Sequence, residues 1–155
     1  MNPVNNPNAA VVDANILVSI TAKEGRTHII AENAFKAYSQ NGWIFFAPNV
    51  IVAEVLFALC QKRSAGILTE AEYDGAIEAF VDYMTIISPP NDEADLVKRA
   101  VKIGETYGCS RSSDSLYIAL AEDLAKTKTV ELFTLDRGMI NQAAKNAVAV
   151  TVNVL

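Results

Sequence analysis

The segment Ala9–Ile20, AAVVDANILVSI, decides the fold of this chain, because a short apolar run within it stops at a carboxylate, Asp13. An apolar run of this kind after an Asn/Pro-rich leader predicts a strand that is covered on both faces, as strands in parallel sheets are. Open α/β sheets place their ligand sites just beyond the ends of such strands. Asp13 is therefore a candidate functional acid, although an Asp at a strand end is also a common turn former or helix cap.

Length and composition indicate one compact domain. The chain has 155 residues, of which 51% are hydrophobic and 20% charged, enough to form one full core. We expect a frayed leader at 1–8 and the domain at 9–155. The apolar stretch near the N-terminus has no basic residues ahead of it and is interrupted by Asp13, so it predicts neither a signal peptide nor a membrane span. These features predict a cytoplasmic protein that makes no contact with a membrane.

The chain holds too few cysteines for a disulfide framework and too few histidines for a zinc site. Cys60 and Cys109 are its only cysteines, and His28 is its only histidine. We expect both thiols to be reduced, with Cys60 in the core.

Helical and strand patterns alternate along the rest of the chain. Strands are predicted at 43–47, 85–88, 130–135 and 148–154, and helices at 26–40, 48–65, 69–84, 91–107, 114–125 and 141–146. The helical spacing predicts that Ile29 and Ile30 belong to an apolar helix face and that Val97 and Val101 point inward. Because no hairpin signal separates any two strands, the sequence predicts a three-layer α/β/α domain with a parallel five-stranded sheet.

Glu54 is a second candidate acid, because it lies in Val50–Leu59, a helical run that is otherwise apolar on every face. An isolated carboxylate buried there would cost on the order of several kcal/mol, or the group would stay protonated. No Lys or Arg lies three or four residues away to pair with it. The plain alternative is a Glu that reaches solvent at the edge of the helix.

Two further acids lie where they could meet Asp13. Asp114 follows a serine-rich loop and opens a helix, where an acid also stabilises the helix dipole. Asp136 ends the strand 130–135, as Asp13 ends the first strand, and Arg137 and Gly138 after it would suit a plain turn. Each acid alone is weak support for a site. The carboxyl ends of parallel strands share one edge of a sheet, however, so acids at two strand ends and on two helices that could converge there are stronger support together.

A cluster of carboxylates at one site indicates a divalent cation, because the like charges otherwise repel one another. Oxygen ligands without Cys or His favour Mg²⁺ or Mn²⁺. Such an ion can activate water for attack on a phosphodiester. Asn15 and Thr134 can hydrogen-bond to the carboxylates and hold them in orientation, although they also suit a turn amide and an ordinary strand Thr.

These acidic segments resemble the PIN-domain ribonucleases and, among them, the VapC-like toxins of prokaryotic toxin–antitoxin pairs. The matching motifs are VVDANILV around Asp13, the helix with Glu54, SSDSLYIALAEDL around Asp114 and LFTLDRGM around Asp136. The resemblance implies that these four acids are the catalytic metal-binding quartet of a Mg²⁺- or Mn²⁺-dependent endoribonuclease. It also implies RNA as the substrate, a homodimer, and a small antitoxin that blocks the site.

The resemblance extends to the helper positions and differs at one place. The polar helpers of the family fall on Asn15 and Thr134. A further acid that some relatives carry is missing, since Tyr117 and Ile118 occupy that region, so whether a second metal binds stays open. The extended leader does not belong to the family pattern.

The net charge of −5 and a pI near 4.8 argue against RNA binding through a broad basic surface. Bound cations would reverse the local sign, and Arg111 and Arg137 could contact phosphates. A catalytically silent PIN-like module that binds RNA or a protein therefore remains an alternative. A haloacid-dehalogenase-type phosphatase fits less well, because it needs a second Asp where this chain has Asn15.

Overall fold

The computed structural model describes residues 8–109, 112–146 and 150–155. Its five-stranded sheet is parallel at every pairing, with the strand order β3-β2-β1-β4-β5. The strands β1 to β5 span Asn8–Val12, Ile44–Phe46, Ile87–Ser88, Thr129–Thr134 and Thr151–Val154. The structure thus confirms the predicted three-layer α/β/α fold with a parallel five-stranded sheet.

The helices connect these strands and cover the sheet. In the described residues, α1 to α7 span Ala14–Thr21, Thr27–Gln40, Val50–Ser64, Glu70–Met84, Glu93–Glu105, Ser112–Leu124 and Gly138–Lys145. Six of these correspond to helices predicted from the sequence, whereas α1 was not predicted. No helix in the described part of the chain is long and apolar enough to cross a membrane.

Strand β1 forms the centre of the molecule. It pairs with β2 on one side and with β4 on the other, and its residues from Ala9 to Val12 are fully buried. Complete burial on alternating faces means that helices cover both sides of the strand. The rings of Phe35 and Tyr38 on α2 pack against Phe133 of β4. Because β1 is the central strand of the sheet, its carboxyl end lies at the middle of that sheet edge.

Helix α1 begins immediately after β1, with Asp13 at its N-cap in an extended conformation. Seven of its eight residues are buried, so it lacks the polar face that gives an amphipathic helix its period. The apolar residues that follow Asp13 therefore show no helical period in the sequence, although the structure places them in a helix.

The predicted position of Cys60 in the core is wrong, because its side chain is exposed. The buried face of α3 consists of Ile51, Val55 and Leu59, at intervals of four residues. Cys60 follows Leu59 and therefore points to the other side of the helix. Because α3 is apolar on both sides, its sequence could not show which side faces the core.

The predicted inward faces of α2 and α5 are partly wrong as well. Ile29 and Ile30 on α2 are exposed, and so are Val97 and Val101 on α5. The buried positions of α5 are Leu96, Ala100, Ile103 and Gly104. These residues follow the helical period but form a narrower apolar stripe than predicted, so Val97 and Val101 lie beside it and are exposed to solvent.

Candidate metal centre

Asp13 lies at the carboxyl end of β1 and is buried, with 5% of its surface exposed. Its backbone N–H donates to the carbonyl of Phe133 at 3.2 Å, which ties the strand end to β4. Its Oδ2 accepts a hydrogen bond of 2.6 Å from the hydroxyl of Thr134. The fold therefore holds this carboxylate on the central sheet edge in a fixed orientation.

Thr134 and Asn15 connect the ends of β1 and β4. Besides donating to Asp13, the Thr134 hydroxyl accepts from Asn15 Nδ2 at 3.1 Å and from the Asp136 backbone N–H at 2.9 Å. Asn15 Oδ1 accepts from the Leu135 N–H at 3.1 Å. Both side chains thus make the orienting hydrogen bonds that their positions in the sequence suggested.

Burial raises the pKa of Asp13 from 3.8 to about 7. The hydrogen bond from Thr134 acts in the opposite direction, while the charges of Asp114 and Glu54 raise the pKa further. Repulsion between carboxylates therefore contributes, as the sequence suggested, but removal from water is the larger cause. Glu54 on α3 and Asp114 on α6 therefore lie close enough to Asp13, at the end of β1, to affect its ionisation.

Glu54 is half-buried on α3, and its partner is a tyrosine rather than a cation. The hydroxyl of Tyr117 on α6 donates to Glu54 Oε1 at 2.8 Å. Because this donor lies 63 positions away in the chain, the residues near Glu54 in the sequence do not reveal it.

Asp114 and Asp136 occupy the positions expected for them. Asp114 is half-buried in the first turn of α6. Asp136 is also half-buried, and its Oδ1 accepts from the Gly138 N–H at 2.8 Å within the turn that leads into α7. Asp136 thus performs the turn role that was its plain alternative. Arg137 is exposed next to it, while Arg111 lies outside the described residues.

The donor set suits a hard cation, but the side chains do not form a closed ligand shell. Within the described ranges, no group of three His, Cys, Asp or Glu side chains is arranged to hold a metal ion. A cation would nevertheless stabilise the charged form of the buried Asp13, which the half-buried Asp114 and Glu54 repel. Mg²⁺ usually keeps several waters and takes only one or two protein carboxylates, so it does not require a closed shell.

Tyr117 is the site residue whose role the sequence did not reveal. It is fully buried beside Asp13 and Glu54, and it lies three residues after Asp114. Residues three apart share one face of a helix. The usable signal was a hydroxyl at this spacing within the otherwise apolar run LYIALA.

Comparisons with known proteins agree with this architecture. The sequence matches the family described as PIN domain over residues 10–146. The structure is similar to a chain in the crystal structure of VapBC2 from Rickettsia felis bound to a DNA fragment from their promoter. The TM-score is 0.64 at 10% sequence identity, covering 95% of this chain and 98% of that chain. At this identity the likeness concerns the fold alone. No curated protein sequence gives a significant match.

Proposed function

The chain belongs to the PIN domain family, and we propose that it is a divalent-metal-dependent endoribonuclease, the toxin of a type II toxin–antitoxin pair. The observation that carries the proposal is the environment of Asp13. This buried carboxyl has its pKa raised to about 7, with Asp114 and Glu54 adding to the effect. Keeping such a carboxyl ionised in the fold costs free energy unless a cation binds beside it, and a pKa perturbed in this way is typical of functional sites.

Mg²⁺ or Mn²⁺ would be held by Asp13, Glu54, Asp114 and Asp136. Either ion, when bound, supplies Lewis-acid activation of the phosphodiester and of the attacking water. The roles of the other residues follow from their hydrogen bonds and positions. Thr134 keeps Asp13 in orientation, and Asn15 holds Thr134.

Arg137 is an exposed cation next to Asp136, where it would contact an RNA phosphate, and we assign Arg111 the same role from its sequence position. The protein carries a net charge of −5, so affinity for RNA depends on such local cations and on the bound metal. RNA as the substrate also favours a cytoplasmic location.

A homodimer is supported by the outer side of α3. Val52, Leu56 and Phe57 are exposed there, Phe57 to 64%. Spaced one turn apart or adjacent, they form one apolar face. Burying such a face against a second copy removes apolar surface from water. A small antitoxin is the other proposed partner, supported by the fold likeness to a VapBC2 chain.

Cleavage of single-stranded RNA tests this proposal. We expect the purified protein to cut RNA with Mg²⁺ or Mn²⁺ and not in chelator. Asp13→Asn should abolish cleavage, whereas Asp74→Asn, a change at an exposed position on α4, should leave it unchanged. Equal cleavage by the Asp13→Asn and wild-type proteins from the same preparation would refute the site assignment.

The alternative, a catalytically silent PIN-like module that binds RNA or a protein, has one specific observation in its favour. The described carboxylates do not form a ready-made metal cluster. This alternative predicts binding of RNA or of a protein without cleavage at any concentration of either metal. The same assay therefore distinguishes the two functions.

A further inference from the structure

Tyr117 lies between the acids of the site and contacts one of them directly. Its side chain is fully buried, and its hydroxyl donates to Glu54 Oε1 at 2.8 Å. A carboxylate can only accept hydrogen bonds, so the tyrosine must be the donor. Within the described residues, Glu54 forms no ion pair with Lys, Arg or His.

The tyrosine remains a donor throughout the working pH range. Burial raises its pKa far above the usual value, and the charges of Asp13 and Glu54 act in the same direction. A neutral phenol can therefore lie among these acids without adding charge. A carboxylate at this position would add a further negative group to the site and increase the repulsion.

We propose that Tyr117 is a positioning residue that fixes the carboxylate of Glu54 and thereby sets the affinity of the site for a divalent cation. This inference rests on the proposed function. Glu54 is half-buried on a helix, and a glutamate side chain without a fixed partner can adopt several rotamers. Holding Oε1 selects one rotamer before the cation arrives, so less conformational entropy is lost on binding.

The matched test removes single hydroxyl groups from two buried tyrosines. Tyr117→Phe deletes the donor to Glu54. Tyr38→Phe is the control. The buried Tyr38 also donates to a glutamate, Glu131, but this pair joins α2 to β4 and includes none of the four candidate acids. Mn²⁺ binding by the intact chain is measured by calorimetry, together with the thermal melt of each variant in chelator.

We expect Tyr117→Phe to weaken Mn²⁺ binding by about 10- to 100-fold, the usual effect of removing a residue that orients a metal ligand. Tyr38→Phe should leave the affinity within about twofold, although both variants lose a buried hydrogen bond and melt lower. RNA cleavage by Tyr117→Phe should recover towards the wild-type rate as Mn²⁺ is raised to saturation, because the defect lies in metal affinity.

A double-mutant cycle with Glu54→Gln shows whether the tyrosine acts through the glutamate. In the Glu54→Gln background, adding Tyr117→Phe should change Mn²⁺ affinity by less than about twofold. An equally large loss in both backgrounds would overturn the positioning role. The cycle also distinguishes positioning from a general loosening of the fold by Tyr117→Phe, because a general loosening would weaken Mn²⁺ binding in the Glu54→Gln background as well.

The outcomes separate this inference from the proposed function. If the wild-type protein binds no Mn²⁺, both are wrong. If the wild-type protein binds Mn²⁺ and cleaves RNA while Tyr117→Phe binds Mn²⁺ equally well, only the positioning role is wrong.

Discussion

Replacing Asp13 by Asn should make the metal-free protein more stable at about pH 8, although the change removes a carboxylate from the proposed metal site. The pKa of Asp13 is 3.8 in the absence of structure and about 7 in the fold. The native state therefore binds this proton more tightly than the unfolded chain does. Stability contributed by the protonated acid is complete below about pH 4 and is lost as the pH rises towards 7.

The size of the effect follows from the distance between the two pKa values. A difference of about 3 pH units, at about 1.4 kcal/mol for each, gives a penalty of about 4 kcal/mol above neutrality. Asn is neutral at every pH and escapes that penalty. Its amide oxygen can still accept from Thr134, and the stronger hydrogen bond that the ionised carboxylate makes with this hydroxyl is already part of the raised pKa. The expected net gain is therefore about 4 kcal/mol at about pH 8.

Urea unfolding in chelator, at about pH 4.5 and about pH 8, measures this gain. At the lower pH the wild-type penalty has fallen to about 1 kcal/mol, so Asp13→Asn should be more stable than wild type by only about 1 kcal/mol there. The control Asp74→Asn should follow wild type at both values. A gain for Asp13→Asn that is absent at the higher pH, or that is the same at both, would refute the conclusion that burial and neighbouring acids oppose the ionised form of Asp13.

Three further expectations follow from the site and from α3. Mg²⁺ should raise the melting temperature of wild type more than that of Glu54→Gln through linkage; equal responses in thermal melts with and without Mg²⁺ would contradict the placement of Glu54 at the metal. Thr134→Val should destabilise the protein by about 1–3 kcal/mol in urea unfolding, because it leaves buried polar partners unsatisfied, whereas Thr134→Ser keeps the hydroxyl and should cost less. Phe57→Glu should convert the proposed dimer to a monomer in light scattering, unlike Ile140→Glu on α7; an unchanged mass for Phe57→Glu would exclude this face.

The sequence was sufficient for the fold where local patterns and sheet topology agree. Alternating strands and helices without hairpin signals allow few topologies, and the structure has the five predicted strands in parallel. The predicted helix at 69–84 begins with a capping box between Thr69 and Glu72, in which the Glu72 N–H donates to Thr69 Oγ1 at 3.2 Å. The capping box depends only on neighbours in the sequence, whereas the parallel arrangement was predicted from the helices that separate the strands.

The sequence was insufficient where a helix lacks a clear polar side. Helix α1 has no such side because it is almost entirely buried, and α3 has none because its outer side is apolar too. In α3, Leu59 is buried and Cys60 next to it is exposed, a difference that packing determines. The same ambiguity concealed the partner of Glu54, because Tyr117 looked like one more core residue of α6.

The acids of the candidate site also explain how an acidic protein could act on an acidic polymer. Without a cation, ionised Asp13 opposes folding, and Asp114 and Glu54 increase that opposition. A cation removes this penalty, so part of its affinity comes from a destabilisation already present in the fold. The same ion changes the local charge that a phosphate meets. A site that works in this way should bind RNA only after the metal, so RNA affinity measured in chelator should be weak and should increase as Mn²⁺ is added to wild type but not to Asp13→Asn.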